Sequence, residues 1–390
     1  MPKFYDRIKK KYYYATIERA SKGKRESIMR KKYLDNIRWI TVVIVVLYHV
    51  IYMYNAEGIL GVVGKITKLD VQYYDVFQYA VYPWIMAILF IVSGISSRLY
   101  LEKHSVKEFA KSRTRKLLVP STIGLVAFQF IQGYLNTKNS DAVNMMKEVP
   151  APIAFMIMVL SGIGVLWYIQ ILWIFSMLLL LVRLIEKDHL YKLGAKTNVV
   201  VIILLVIPVW LSSLILNTPI ICVYRFGLYG LLFFLGYFVF SHDEVIERLK
   251  KYFLLFLILA VVLGVLFCIL YFGENYADKP VNRYPIFAAY AWFACMAILG
   301  GMAKYGDFEN KFTRWMSKRN FGLYVFHYLG LSIVAVYLVK PGLISPVPAY
   351  IISTVAAFVL AYILNEIISR IPVYRWMVLG IKKEKKRVEG

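Results

Sequence analysis

The stretch Asp35–Asn55 reads DNIRWITVVIVVLYHVIYMYN. Most of it is the apolar filler of a membrane span, which needs about 20 such residues. Two ionisable side chains interrupt it, Arg38 near its start and His49 in its middle. They stand eleven positions apart. At about 100° per residue that spacing returns almost to the same helix face, which Asp35 also shares. A charge or an imidazole at membrane depth is costly and faces a protein interior or a wet cavity. With Arg38 at the membrane border, a rise of roughly 16 Å carries His49 to near the midplane.

The rest of the chain has the same character. Of 390 residues 60% are hydrophobic, and the mean hydropathy is +0.60. That is the composition of a polytopic membrane protein and excludes an ordinary soluble domain. The 31 tyrosines and 24 phenylalanines suit membrane interfaces. Apolar runs predict ten spans, near 37–55, 77–97, 117–135, 164–182, 198–216, 226–241, 252–272, 285–303, 320–339 and 349–369. The segment PAPIAFMIMVLSG, 150–162, is apolar but short, and reads as a re-entrant or interfacial piece. The fold expected is therefore all-α.

The net charge of +24 does not point to nucleic acid, because the cations lie in short segments between apolar runs. Alternate segments, counted from the N-terminus, hold 38 Lys and Arg against 8 in the intervening ones. Arg38 is the remaining one of 47. Positive segments face the cytoplasm, so both termini are expected there, as an even number of spans requires. The expected organisation is a basic N-terminal segment (1–32), a transmembrane domain (33–380) and a basic tail (381–390). The N-terminal segment lacks the apolar core of a cleavable signal. No soluble domain and no internal repeat of the kind found in many secondary transporters is visible.

Few residues can carry chemistry. His104, His189 and His242 fall in charged loops and read as solvated surface histidines. His327, like His49, lies inside a span, about 12 Å past Arg319; it serves either a shared cavity or a neighbouring helix. Imidazole suits removal of a proton from a hydroxyl near neutral pH. The run SSRLYLEKHSVKEFAKSRTRKLLVP brings Arg98, Lys111, Arg113, Arg115 and Lys116 to the ends of spans two and three. Arg113 and Arg115 are candidates for a phosphorylated ligand, since guanidinium forks match phosphate oxygens. Cys268 and Cys295 lie in apolar runs and read as packing residues. Metal-ligand pairs, a Walker loop, a G-x-S-x-G elbow and a His-x4-Asp motif are all absent from the sequence.

An Arg, ten residues and a His in the first span resemble the hallmark of the membrane acyltransferase 3 family. The stretches FIVSGISSRLYL, FAKSRTRKLLVPSTIG, LWYIQILWIF and RNFGLYVFHYLGL are similar to that family's later spans. LNEIISRIPVYRWMVLG is similar to its glucan biosynthesis protein C branch. The resemblance runs from Tyr33 to Gly380. It implies a multi-pass enzyme of the bacterial cytoplasmic membrane. Such an enzyme takes an acetyl or succinyl group from cytoplasmic acyl-CoA, a donor substrate rather than a bound cofactor. It delivers that group to a glycan hydroxyl at the outer face, with the lipid bilayer as its other partner. By the same resemblance His49 is catalytic and Arg38 its partner; Asp35 joins them as a candidate because it shares their helix face. The resemblance implies Arg113 in a basic pair at the CoA phosphates, Lys116 standing where that pair has its second arginine and Arg115 as its substitute; Arg98, at the same end of span two, is a further candidate for that site. His327 and Glu366 are further candidates. The rival expectation is a proton-coupled transporter of a glycan or lipid-linked intermediate, using both membrane histidines.

Overall fold

The computed structural model describes residues 31–56, 61–67, 73–140, 143–217, 224–272 and 281–382. The expected 1–32 segment and 381–390 tail lie almost wholly outside the described residues. Those described form helices joined by loops, without a strand. Eight helices are long and apolar enough to cross a membrane, or ten if two bent pairs each count as a span. The protein is a multi-pass membrane protein.

The long helices are α1 (Lys32–Asn55), α2 (Tyr73–Leu101) and α3 (Val106–Asn139), followed by the short α4 (Ala151–Ser161) and then α5 (Trp167–Glu186). The fifth and sixth expected spans are not straight. α6 (His189–Ala195) meets α7 (Val199–Ser212) at 114°, and α8 (Phe226–Phe238) meets α9 (Asp243–Lys251) at 106°. The limb α8, with 13 residues, rises only about 20 Å and falls short of the roughly 30 Å hydrocarbon thickness. Its continuation cannot enter hydrocarbon, because α9 carries Asp243, Glu244, Arg248, Lys250 and Lys251. Instead α9 buries Val245, Ile246 and Leu249 against the bundle. Asn198 caps the start of α7, its side chain accepting from the Val201 N–H at 2.9 Å. Then come α10 (Phe253–Tyr271), α11 (Pro285–Tyr305), α12 (Lys311–Val339), α13 (Pro346–Arg370) and α14 (Pro372–Leu379).

The expected re-entrant or interfacial piece, 150–162, is α4, whose 11 residues rise only about 16 Å. It folds back on α3 through two glycines. A Cβ on Gly133 would sit 1.7 Å from the Met158 carbonyl oxygen, and one on Gly162 2.2 Å from that of Gln129. α2, α11 and α12 form the centre of the bundle, the most apolar 18 residues of each being more than 70% buried, whereas the same stretch of α10 is 22% buried and faces outward. Trp292 of α11 is itself buried and donates to the Ile202 carbonyl of α7 at 2.9 Å.

One loop sets the register of the site. Asn36 of α1 donates to the carbonyls of Gly306 (2.7 Å) and Phe308 (2.9 Å), and the Tyr33 N–H donates to Asp307 at 3.0 Å. Lys32 closes the corner with Glu309 at 2.9 Å. Two residues later α12 begins, under an Asn310 capping box. Thus α1 and α12 start from the same corner and run alongside each other. His49 lies 17 residues beyond Lys32 and His327 16 beyond Lys311. Both histidines therefore arrive about 25 Å along their helices, at one depth.

Candidate active site

At that depth the two imidazoles meet, His49 Nδ1 and His327 Nε2 standing 3.1 Å apart. His327 is fully buried. Its Nδ1 lies 2.9 Å from the Tyr324 carbonyl and 3.2 Å from that of Leu323. Carbonyls only accept, so Nδ1 carries the hydrogen and the neutral ring leaves Nε2 as an acceptor. His49 must then donate from Nδ1, which leaves its own Nε2 with a free lone pair. The Val45 carbonyl, one turn back, is a second acceptor for the His49 ring. Backbone geometry on α12 therefore fixes the tautomer of a base on α1. Aromatic rings wall it in: Tyr48 and Tyr328 stand edge-on to His49 at 5.6 and 5.3 Å.

Toward the helix starts the same face of α1 carries Arg38. Its fork is divided, one arm bonding Asp35 at 2.8 Å and the other the Ser96 hydroxyl of α2. Asp35 therefore sits a turn beyond Arg38, away from the histidines, as a partner to the guanidinium. Arg113 of α3 donates to Ser97 at 2.9 Å and lies over the Phe109 ring. It is within electrostatic reach of Arg38, and Lys116 is within reach of both. α3 is irregular beside Arg113 and Lys116. Pro120 lacks the N–H that an α-turn would need there, and the wider turn Thr114–Leu118 precedes it.

The remaining candidates go elsewhere. Arg115 donates from Nε to the Gly380 carbonyl at 3.1 Å and holds α14 against α3. Arg98 bonds Glu102 (3.0 Å) and Asp188 (2.9 Å) and stacks on Tyr191. Glu366 receives Arg319 at 2.9 Å, with Arg370 at 3.4 Å. Of the surface histidines, His242 departs from expectation. It is buried, stacked on Tyr191 at 3.9 Å, and bonded to that residue's carbonyl at 2.8 Å.

Sequence reasoning missed Ser96, Ser97 and Tyr168. Tyr168 bonds Ser93 at 3.0 Å within electrostatic reach of Arg38 and Arg113. It also missed Arg225, 2% exposed, whose guanidinium bonds the Tyr82 hydroxyl; Tyr82 in turn stacks on Tyr48 at 5.9 Å. An arginine flanked by VY and FGLYG was a signal, since ionisable groups inside a span are seldom idle.

A base with a fixed tautomer, set below a mouth of cations, is an arrangement for group transfer. The model of the acyltransferase 3 family, described as an acyltransferase domain, matches residues 31–366. The chain belongs to that family. No curated protein and no solved structure matches this acyltransferase. The matched range runs from the start of α1 through Glu366 of α13, so it contains both histidines and the basic mouth of the acyltransferase.

Proposed function

We propose that this acyltransferase moves an acetyl- or succinyl-type group from cytoplasmic acyl-CoA to a hydroxyl of a cell-envelope or exported glycan, across the bacterial cytoplasmic membrane. The observation that carries the reading is the His49–His327 contact at 3.1 Å, on the helix face that also presents Arg38. The charge split of 38 to 8 favours the basic mouth on the cytoplasmic side. Arg38, Arg113 and Lys116 would hold the CoA phosphates there. The extended pantetheine arm then lies along the roughly 16 Å from Arg38 to His49.

The chemistry follows from the tautomer. His49 Nε2 takes the proton of the acceptor hydroxyl as that oxygen forms its bond to the thioester carbonyl carbon. The carbon–sulfur bond breaks, and the departing thiolate recovers the proton from His49. His327, fixed by the Leu323 and Tyr324 carbonyls, keeps the His49 ring oriented and accepts its Nδ1 hydrogen throughout.

The test is His49→Ala in purified protein, with acetyl-CoA and succinyl-CoA as donors and acylated envelope glycan as the readout. General-base assistance is worth about 10² to 10⁴ in rate, and a loss of that size is expected with membrane insertion unchanged. Parental transfer by His49→Ala at equal protein content would overturn the mechanism.

A further inference from the structure

One face of α3 is not used by the chemistry above. Gln129, Gln132, Asn136 and Asn139 are all buried, and their spacing of three, four and three places them on one side of the helix. Gln129 donates to the Val325 carbonyl at 3.3 Å and Gln132 to the Ser332 hydroxyl at 2.9 Å, two points of α12 that bracket His327. Gln132 also donates to Asn136 at 2.8 Å, and Asn136 to the Ser161 carbonyl at 2.8 Å. Asn139 donates to the Gly61 carbonyl at 3.1 Å and lies 3.8 Å from the Met53 sulfur, one turn beyond His49. The row of carboxamides thus starts beside the histidine pair and ends at the loop after α1, about 15 Å further on.

Its rungs are half used. Gln132 Oε1, Asn139 Oδ1 and Ser161 Oγ have no hydrogen-bond partner among the described residues. Buried amide oxygens in that condition are costly and uncommon. Every carboxamide nitrogen in the row is engaged, and the two amide oxygens left over can only accept. Their chemical complement is an O–H donor, and several in a row complement a hydroxyl-rich molecule.

We propose that this row is the acceptor subsite, along which a polyhydroxylated acceptor enters at Gly61 and is held by Gln132 Oε1 and Asn139 Oδ1 as its reacting hydroxyl reaches His49. The assignment rests on the acyltransferase reading and on the mouth of cations facing the cytoplasm.

The test uses the full chain in right-side-out vesicles, with Cys222, Cys268 and Cys295 replaced by alanine. Gln132→Cys and Asn139→Cys should react with a membrane-impermeant cationic thiol reagent added outside. Ile131→Cys, at the same depth but 37% exposed on the bundle's outer surface, should not. Absence of labelling at both positions, or equal labelling of Ile131→Cys, overturns the subsite whether or not the protein transfers acyl groups. In cells, Gln132→Leu with Asn139→Leu should lower glycan acylation by roughly tenfold, at about two- to tenfold per lost hydrogen bond. Acetyl-CoA binding by the purified variant should be unchanged. Unaltered acylation, or an equal loss of acetyl-CoA binding, also overturns the subsite. Failure of the parent to bind acetyl-CoA instead defeats the acyltransfer reading, and the labelling result still judges the row.

Discussion

Arg113 of α3 and Arg319 of α12 both lie in the third turn of a long helix, and they are held in opposite ways. Arg319 gives its fork to Glu366 at 2.9 and 3.0 Å and lies against the rings of Trp315 and Tyr362. Beside it is a cavity of about 90 Å³ with Leu323, Phe358 and Ala361 in its walls. Arg113 has a serine hydroxyl where Arg319 has a carboxylate, and among the described residues no acid pairs with it. It faces Arg38 and Lys116 instead. A neutralised arginine fastens two helices. One that is hydrogen-bonded but not neutralised keeps its field, and of the cations gathered around Arg113 it is Arg38 that has a carboxylate, that of Asp35. The two regions differ in whether the protein supplies the arginine's counter-charge; on the proposed reading the donor's phosphates supply it at Arg113.

The sharpest way to break this contrast is Arg38→Lys. Lysine keeps the charge but cannot serve Asp35 and Ser96 together from a planar fork. With each charged hydrogen bond worth about 1.5–3 kcal/mol, acyl transfer should fall by roughly a hundredfold, measured as steady-state turnover in membranes of equal protein content. Retained turnover would reduce Arg38 to a border charge. Next comes Arg113→Gln, expected to weaken acetyl-CoA binding by about tenfold with no change in thermal midpoint. A loss of stability in place of affinity would make the two arginines alike.

Arg319→Gln is the converse. The pair is a quarter exposed on each side, and removing it should cost about 0.5–1 kcal/mol of stability while donor affinity holds. The smallest effect concerns Glu309, whose carboxyl the hydrogen bond from Lys32, and then Arg314, holds below the usual carboxylate range. A depressed acid contributes stability above its unfolded pKa, about 4.3, and loses it as pH falls through its folded value. The thermal midpoints of parent and Glu309→Gln should therefore keep a constant separation from about pH 5 upward and converge in more acidic buffer. A separation that changes between neutral and mildly alkaline pH would contradict this.

Much of this was open to sequence reading, because membranes impose simple rules. Long apolar runs had to be helices, and eleven residues had to bring Arg38 and His49 to one face. The pairing of His49 with His327 followed only in outline, since sequence gives depth but not which helices are neighbours. The loop at Gly306–Asn310 supplies that missing fact through Asn36 and Asp307. The bent pairs escaped because hydropathy counts apolar residues and cannot see that α8 stops after 13 of them. Arg98, Arg113 and Arg115 are indistinguishable as letters in one basic run. What separates them is Asp188, Ser97 and the Gly380 carbonyl, and the last is 265 positions away from its partner.

That last contact also determines where the chain leaves the bundle. Gly380 has φ +61°, and a Cβ there would meet the Arg115 carbonyl oxygen at 2.4 Å, so only glycine lets α14 seat so closely. Arg115 is adjacent to Lys116 on α3. Whatever follows residue 380 thus sets out from the rim of the cationic mouth. On the proposed reading, a bulky fusion appended there would shade the donor's doorway, and an acidic one would compete for the charges offered to its phosphates.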